Sequence, residues 1–518
     1  MDTIDVSFVG SGIAATLTLI EIFDKLLKSP PAAHKLTIAI IEKYPEFWKG
    51  IPYGKRSSVN ALTITTVHDF IYENERPVFF EWLKANKNDW ATYYREHGGA
   101  TAARWLENNL PLIENNAWET VYIPRFIFGN YLQEKLLTLL KDAEEKQLAT
   151  IKLIHAEAID IKVLDNDLHE IILEHPDMSL STVISRKVVI AAGSAPVRKM
   201  YAATDRNVLY INDIYDPSVE NNLKKLHAAL NQTEDPANRN ILVIGSNASS
   251  IELLYLLEGM PELRKMINKT VIISSSGALP LHISTEKLPE HPIPNLDKVK
   301  AVGNYTIETL VDAAAMDLKY ALQNGANMDY VATIISNTLV LMESLDETAK
   351  KAFFAIHGIR LRDMFRRSGP EYKNCSQLLI DLEEVIILKG RFLNTQLAQN
   401  GVLLNYKHAT GTREMVYSLS FKAIINCSGS DNLNNCDSRL LYNLTNKNIC
   451  KMNLSGKGFE VNEKFEAASN IYVIGPLLGG NMNKLIHFWQ LENASRLTSL
   501  APLLADELLS TNNENSHS

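Results

Sequence analysis

The 518-residue chain carries 52 Lys and Arg against 60 Asp and Glu, a formal net charge of −8. With no long basic run, that balance argues against nucleic acid or an anionic membrane as the main partner. No apolar stretch reaches the roughly 18 to 20 residues needed to span a bilayer, and the acidic N-terminus enters a strand directly, so no signal peptide is expected. The four cysteines, Cys375, Cys427, Cys436 and Cys450, form no CxxC pair. That spacing argues against a zinc ribbon or other metal site and against a thioredoxin-like centre, and it predicts a reducing, cytoplasmic setting. The first 374 residues hold no cysteine, which excludes a flavin disulfide reductase with its redox pair near the N-terminus.

Residues 6–20 (VSFVGSGIAATLTLI) read as a short apolar strand, a tight turn and an apolar helix that ends before Pro30-Pro31. A second buried strand at 36–41 ends at Glu42. The turn is Gly10-x-Gly12-x-x-Ala15. Gly10 permits the bend, Gly12 lets a pyrophosphate approach the backbone, and Ala15 permits close helix–strand packing. The helix start at Ile13 and Ala14 offers N–H groups and a positive dipole end to phosphates. Glu42, with Lys43 beside it, is placed to accept bonds from ribose hydroxyls, and its charge disfavours a 2′-phosphate. The site suits FAD or NAD rather than NADP; an unliganded tight turn is the alternative.

Residues 52–75 look irregular, 77–85 helical, and 122–140 an amphipathic helix opening with Ile123-Pro124-Arg125. Strands are expected at 150–155, 170–173 and 187–192, the last running into Ala192-Gly193. A polar stretch at 231–240 marks a boundary. A second strand–turn–helix unit follows at 241–254 (ILVIGSNASSIELL), with its next strand at 270–274. Its turn is Gly245-Ser246-Asn247-Ala248-Ser249-Ser250, with Asn247 where the middle glycine would stand. Ser274, Ser275 and Ser276 occupy the position where an NADPH site usually places a cation. A Rossmann-like unit that binds nicotinamide weakly or not at all is the alternative here.

Residues 307–367 are expected to be helical with a break near 324–327, and 385–425 to return to strands that end in Cys427-Ser428-Gly429. A last strand at 471–474 runs into a Gly475 to Gly480 loop and a closing helix at 484–509. The expected fold is α/β, with two Rossmann-like dinucleotide-binding domains, for FAD and NAD(P), and a helical insertion. The FAD domain is drawn as 1–238 and 400–510, the NAD(P)-binding-like domain with its insertion as 239–399, and 511–518 as a disordered tail.

Three further segments carry a resemblance. Trp48-Lys49-Gly50-Ile51-Pro52-Tyr53-Gly54 followed by Val59-Asn60-Ala61-Leu62 is similar to a G-x-x-Y-G…L-N-x signature. Residues 123–132 (IPRFIFGNYL) resemble a P-R-x-x-x-G-x-Y-L helix, and 424–429 (IINCSG) an I-N-C-T-G strand end. Together they resemble the FAD/NAD(P)-binding proteins called HpyO-like, related to flavin-dependent N-hydroxylating monooxygenases that oxidise an amino group on aspartate or ornithine.

The resemblance implies FAD together with NADPH or NADH. It implies a small-molecule substrate, an amino acid or amine, whose nitrogen is oxidised through a C4a-hydroperoxyflavin. A flavin reductase or oxidase, and a non-catalytic FAD-binding protein, are the alternatives. It lays residues 53–69 over the flavin ring, with Tyr53, Asn60 and Leu62 in contact. It places Arg125 near the FAD phosphates or substrate, a domain-bridging arginine being the other reading. Ala192-Gly193 and Ser428-Gly429 let the backbone pass the cofactor. Gly475 to Gly480, with Pro476 where the family has an acid, aim N–H groups at the flavin pyrimidine edge. Asn60, His68 and His487 are the catalytic candidates, although each histidine reads more readily as a packed or surface residue. Arg366 and Arg367 form a basic cluster or a solvated helix end. No oligomeric state follows from the sequence.

Overall fold

The computed structural model describes residues 3–29, 35–200, 207–280, 290–364, 366–483, 487–488 and 494–510. Six strands lie in the first part of the chain: Ile4–Val9 (β1), Leu36–Glu42 (β2), Ala149–His155 (β3), Glu157–Val163 (β4), His169–Glu174 (β5) and Leu180–Ile190 (β6). Leu209–Ile211 (β7), Asn240–Ile244 (β8), Lys269–Ser274 (β9), Val385–Ala398 (β10), Gly401–His408 (β11), Glu414–Phe421 (β12) and Ala423–Asn426 (β13) follow. Glu466–Ala468 (β14) and Ile471–Val473 (β15) come next.

These strands form two main sheets. The first runs β14-β15-β6-β1-β2-β3, parallel from β15 to β3, with β4 and β5 attached to β6 as an antiparallel meander. The second runs β12-β11-β10-β9-β8-β13-β7, parallel from β10 to β7 and antiparallel in the β10–β12 extension. The parallel strands are continuous apolar runs because both faces are covered; one face of the second sheet, with Leu242, Ile244, Val271 and Ile273, packs against Val402, Leu404 and Phe421 of its own antiparallel extension. Every residue of β8 is buried, and so are Val188, Val189 and Ile190 at the parallel end of β6. The helix Ile13–Lys28 is buried on every residue from Ile13 to Ile20 and rests against the helices Arg125–Glu145 and Ala494–Leu509.

The helical insertion has a core of its own, including Leu310, Val311, Ala314, Val331, Ile334, Phe353 and Phe354. Its helices start at side-chain caps: Thr306 for Ile307–Gln323, Asn327 for Met328–Met342 and Asp346 for Glu347–Ala352. Each cap satisfies an N–H that the helix cannot. The break expected near 324–327 is the turn between the first two of these.

Strand pairing divides the chain elsewhere than at 238/239 and 399/400. β7 lies before the expected 239–399 unit and β11, β12 and β13 after it, yet all four pair in the second sheet. The reason is that β13 runs parallel between β7 and β8, a long-range pairing that periodicity cannot see. Three local differences accompany this. Residues 87–114, unassigned from sequence, form the helix Lys87–Glu114, interrupted at Gly99. β4 was not anticipated. The loop after β15 does not run straight into a helix: Asn481–Met482 pairs with His487–Phe488 as a short hairpin, and the described closing helix is Ala494–Leu509. The expected disordered tail, 511–518, lies outside the described residues. Among the described residues, no helix is long and apolar enough to cross a membrane.

Candidate functional site

The first turn is built by three parallel neighbours. Gly10 N–H donates to Ile41 O at 2.8 Å, and Ala191 N–H donates to Val9 O at 2.8 Å. Gly10 has φ +101°, and a Cβ on it would stand 2.4 Å from Ala191 O, so only glycine fits. Gly12 starts the helix with no side-chain cap, leaving the first-turn N–H groups at Ile13 and Ala14 uncovered by any side chain. Ala15 is fully buried, as its packing role requires.

Two further small-residue turns close on this helix start. A Cβ on Gly50 would lie 3.0 Å from Gly12 Cα, and one on Gly475 would lie 3.5 Å from Ala14 Cβ. The segment before Gly50 is pinned down by Thr16 Oγ1 donating to Trp48 O at 2.6 Å and Trp48 N–H donating to Ser11 Oγ at 3.3 Å. The result is a cradle walled by backbone, open to an anion at a helix N-terminus. At its far end Glu42 Oε2 accepts from Ser11 N–H and Oγ, both at 2.8 Å, and Oε1 accepts from Tyr44 N–H at 3.0 Å. A carboxylate has about four acceptor positions, so these three bonds leave capacity for a ribose hydroxyl. Lys43 does not face the cradle: its ammonium sits 3.0 Å from Glu157 Oε1. Ala192 is exposed, and a Cβ on Gly193 would meet nothing within 4 Å, so the β6 end borders open space.

The second turn repeats the first bond for bond. Gly245 N–H donates to Ile273 O at 2.8 Å and Cys427 N–H to Ile244 O at 2.7 Å. Gly245 has φ +98°, and a Cβ there would stand 2.4 Å from Cys427 O. Ile273 thus matches Ile41, Cys427 matches Ala191, Gly429 matches Gly193, and Ser274 matches Glu42.

Two replacements separate the copies. Asn247 Oδ1 accepts from Ser249 N–H at 3.0 Å, so this helix start is capped by its own side chain. A Cβ on Gly429 would lie 3.7 Å from Asn247 Nδ2, which places the amide over the strand end. Where the first turn has a carboxylate, the second has hydroxyls: Ser246 Oγ to Ser274 Oγ is 2.8 Å, and Ser276 Oγ lies 3.3 Å from Ser246 Oγ and 3.2 Å from Ser274 Oγ. Ser275 and Ser276 are exposed. The residues of the first turn fit FAD fully. Those of the second fit the ribose end of a nicotinamide dinucleotide and narrow its phosphate end.

The comparisons agree with this architecture. A family model described as FAD-NAD(P)-binding matches residues 7–195, the span from β1 to the end of β6. Uncharacterized proteins of Mycobacterium tuberculosis and Mycobacterium bovis are 35% identical over 517 residues, covering 98% of this chain and 96% of theirs. The chain belongs to one family with these mycobacterial proteins, and its first part matches the FAD-NAD(P)-binding model. The matched description assigns dinucleotide binding to the first strand–turn–helix unit.

Solved structures show the same fold at low identity. The ornithine N-hydroxylase of Kutzneria sp. 744 has TM-score 0.54 at 15% identity, covering 98% of this chain and 99% of its own. A cadaverine monooxygenase from Erwinia amylovora, solved with FAD, has TM-score 0.57 at 11% identity, covering 98% and 95%. An L-lysine 6-monooxygenase from Pseudomonas syringae has TM-score 0.55 at 14% identity, covering 97% and 98%.

The motifs read from the sequence have structural reasons. Tyr53 is buried against Phe128, ring centroids 5.5 Å apart, and burial pushes its hydroxyl up to about 12. Gly129 is the glycine of the P-R-x-x-x-G helix, and a Cβ on it would stand 2.6 Å from Tyr53 O. Asn60 Nδ2 donates to Gly98 O at 3.1 Å, while its Oδ1 is buried with no hydrogen-bond partner. Leu62 N–H donates to the Tyr372 hydroxyl at 2.7 Å.

Arg125 takes the bridging role rather than a place in the cradle. Its Nε donates to Leu62 O at 2.8 Å. Its Nη1 lies 2.9 Å from Glu252 Oε2, a buried ion pair whose N–H is not aligned into a hydrogen bond. Burial works most strongly against the Arg125 charge, but the Glu252 carboxylate together with Tyr372, Tyr215 and Tyr53 offsets it, and the guanidinium is held above its ordinary value.

The histidine candidates do not gather at the cradle. His68 is exposed, 3.3 Å from its neighbour Asp69. The side chain of His487 lies outside the described residues. Arg366 pairs with Asp363 at 3.0 Å, and Arg367 is lowered by burial, countered by Asp69 and Tyr122. Gly480 sits under Ser455, and Asn453 Nδ2 donates to Gly479 O at 2.8 Å, which fixes the Gly475 to Gly480 loop.

Sequence reasoning passed over Glu252 and Asn453. A single acid inside the apolar run ILVIG…IELLYLL was the available signal for Glu252. The Asn453-Leu454-Ser455-Gly456 turn was the signal for Asn453.

Proposed function

We propose that this protein is an NAD(P)H-dependent flavin monooxygenase that hydroxylates the amine nitrogen of a small molecule. The observation that carries the reading is the first cradle: an uncapped helix start flanked by Gly10, Gly50 and Gly475, with Glu42 at its ribose end. Support for the reaction class comes from the likeness in fold to the ornithine, cadaverine and lysine monooxygenases, which spans nearly the whole chain. The four cysteines are buried and unpaired, which argues against dithiol chemistry and supports a cytoplasmic setting.

Bound FAD supplies two-electron transfer and dioxygen activation, chemistry that belongs to the cofactor. The balance is R–NH2 + NADPH + H+ + O2 → R–NHOH + NADP+ + H2O. The chain's own residues hold and orient. Ile13 and Ala14 N–H groups would hold the pyrophosphate, and Glu42 would accept from ribose. Residues 53–62 would form one wall of the ring site. At the second turn the neutral Ser246, Ser274 and Ser276 hydroxyls tolerate a 2′-phosphate that Glu42 would repel, so the site admits NADPH as well as NADH.

A small primary amine is the substrate class, ornithine, lysine and cadaverine being the first compounds to try. The test is to incubate the FAD-loaded protein with NADPH, air and each amine, and to assay hydroxylamine product against NADPH consumed. Stoichiometric hydroxylamine from one of them supports the reading. NADPH oxidation that yields only peroxide with every amine tried would remove nitrogen oxidation from it. Asn247 is the one observation that favours a non-catalytic FAD-binding protein, because it narrows the second phosphate site.

A further inference from the structure

The two dinucleotide turns belong to different sheets, and one buried ion pair joins the elements behind them. Glu252 lies one turn into the helix Ala248–Glu258, which starts at Asn247 on the second turn. It is 2% exposed. Its Oε2 meets Arg125 Nη1 at 2.9 Å, and its Oε1 lies 3.5 Å from Ser57 Oγ. Arg125 is the first residue of the helix Arg125–Glu145, whose Gly129 seats Tyr53. Its main-chain N–H donates to Ala61 O at 2.8 Å and its Nε to Leu62 O at 2.8 Å. One side chain therefore touches the wall at 60–62 and the helix of the second turn. Arg104 holds the far end of that helix through Glu258, at 3.2 and 2.8 Å.

A buried ion pair is a poor device for stability alone, since apolar residues of similar volume do as well. What it provides is a fixed geometry. Apolar contacts slide; a guanidinium tied through Nε to Leu62 O, with Nη1 2.9 Å from a buried carboxylate, is held by a hydrogen bond on one side and by charge on the other. We propose that Arg125 is a positioning residue that, through Glu252, sets the second dinucleotide turn against the 60–62 wall, so that hydride transfer between the two cofactors depends on the pair. The inference rests on the reading that NAD(P)H reduces the bound FAD. The transfer moves one hydride, two electrons with their proton, from the nicotinamide to the oxidised flavin.

The experiment compares wild type, Arg125→Lys, Arg125→Met, Glu252→Gln and the double variant R125M/E252Q as FAD-loaded proteins. The double variant leaves no lone buried charge, so it keeps the test alive where a single variant fails to fold. FAD content, the NADP+ dissociation constant and the limiting rate of anaerobic flavin bleaching by NADPH are measured on each. Small misplacements of reacting atoms cost about tenfold to a hundredfold in rate, and that is the expected fall in the limiting rate. FAD content should be unchanged and the NADP+ dissociation constant should stay within about twofold of wild type. Arg125→Lys, which keeps the charge but not the fork, should fall between wild type and Arg125→Met.

A double variant that keeps FAD and bleaches at the wild-type rate overturns the inference. So does one that loses FAD, which would make the pair a folding element, or one in which only NADP+ affinity falls. Wild type that is not bleached by NADPH or NADH contradicts the functional reading itself, and the inference falls with it.

Discussion

At the second turn one side chain occupies the place that Gly12 leaves open at the first. Asn247 caps Ser249 N–H and lays its amide toward Gly429. Asn247→Gly should keep the fold, since an Asn cap exchanged for Gly costs only about a few tenths of a kcal/mol. It should tighten NADP+ binding by about fivefold to tenfold, roughly 1 to 1.4 kcal/mol. Titration of the quenching of flavin fluorescence by NADP+ reads this directly; weaker binding would show that Asn247 Nδ2 itself donates to the phosphate. Ser274 is the second residue of consequence, because hydrogen-bond register places it where Glu42 stands in the first unit. Ser274→Glu should raise the KM for NADPH by about tenfold and leave the KM for NADH near its starting value. Equal effects on both reductants would remove Ser274 from the ribose end. Both departures from the glycine-rich pattern were legible as letters. Their effects were not, because a cap and a hydroxyl cluster are relations between residues that lie 2 and up to 30 positions apart.

At the scale of elements, the glycine of the helix Arg125–Glu145 shows how a motif letter becomes packing. The helix passes so close to residue 53 that a Cβ on Gly129 would meet Tyr53 O at 2.6 Å. The obstacle is backbone, which cannot turn aside as a side chain can. Gly129→Ala should cost about 1 to 3 kcal/mol, read as a lowered Tm and reduced FAD retention, because the 50–54 segment lies against Gly12. An unchanged Tm would show that the helix can retreat. The two strand–turn–helix units were visible in sequence because their signal is local: an apolar run, a small-residue turn, an apolar helix. The helix Lys87–Glu114 was not, because Gly98-Gly99 interrupts it and its apolar stripe is weak. The hairpin of Asn481–Met482 with His487–Phe488 is too short to register as a period-2 pattern.

At the scale of the whole molecule, the two sheets are stitched by long-range pairings. β15 completes the first sheet beside β6, and β13 enters the second between β7 and β8. Residues 209–211 and 401–426 were assigned to the first unit from their position along the chain, and only pairing shows that they belong to the second sheet. The meander of the first sheet also gives stability a pH dependence. His169 on β5 is fully buried, and burial pushes its imidazole below the ordinary value, partly countered by the Ser469 main chain. As pH falls through the ordinary imidazole value of about 6.5, the unfolded chain takes up a proton that the folded chain resists, so stability falls. Above that value both states are neutral and the contribution is complete. His169→Leu should flatten the fall of Tm between neutral and mildly acid pH; an unaltered slope would assign the dependence to other groups.

The central claim is that one chain holds FAD at the Gly10 to Ala14 turn and admits a nicotinamide reductant at the Gly245 turn. Anaerobic stopped-flow mixing of the FAD-loaded protein with NADPH tests it most directly. The oxidised-flavin absorbance band is expected to bleach in a single turnover with NADPH or NADH. A flavin band that persists unchanged with both reductants would contradict it.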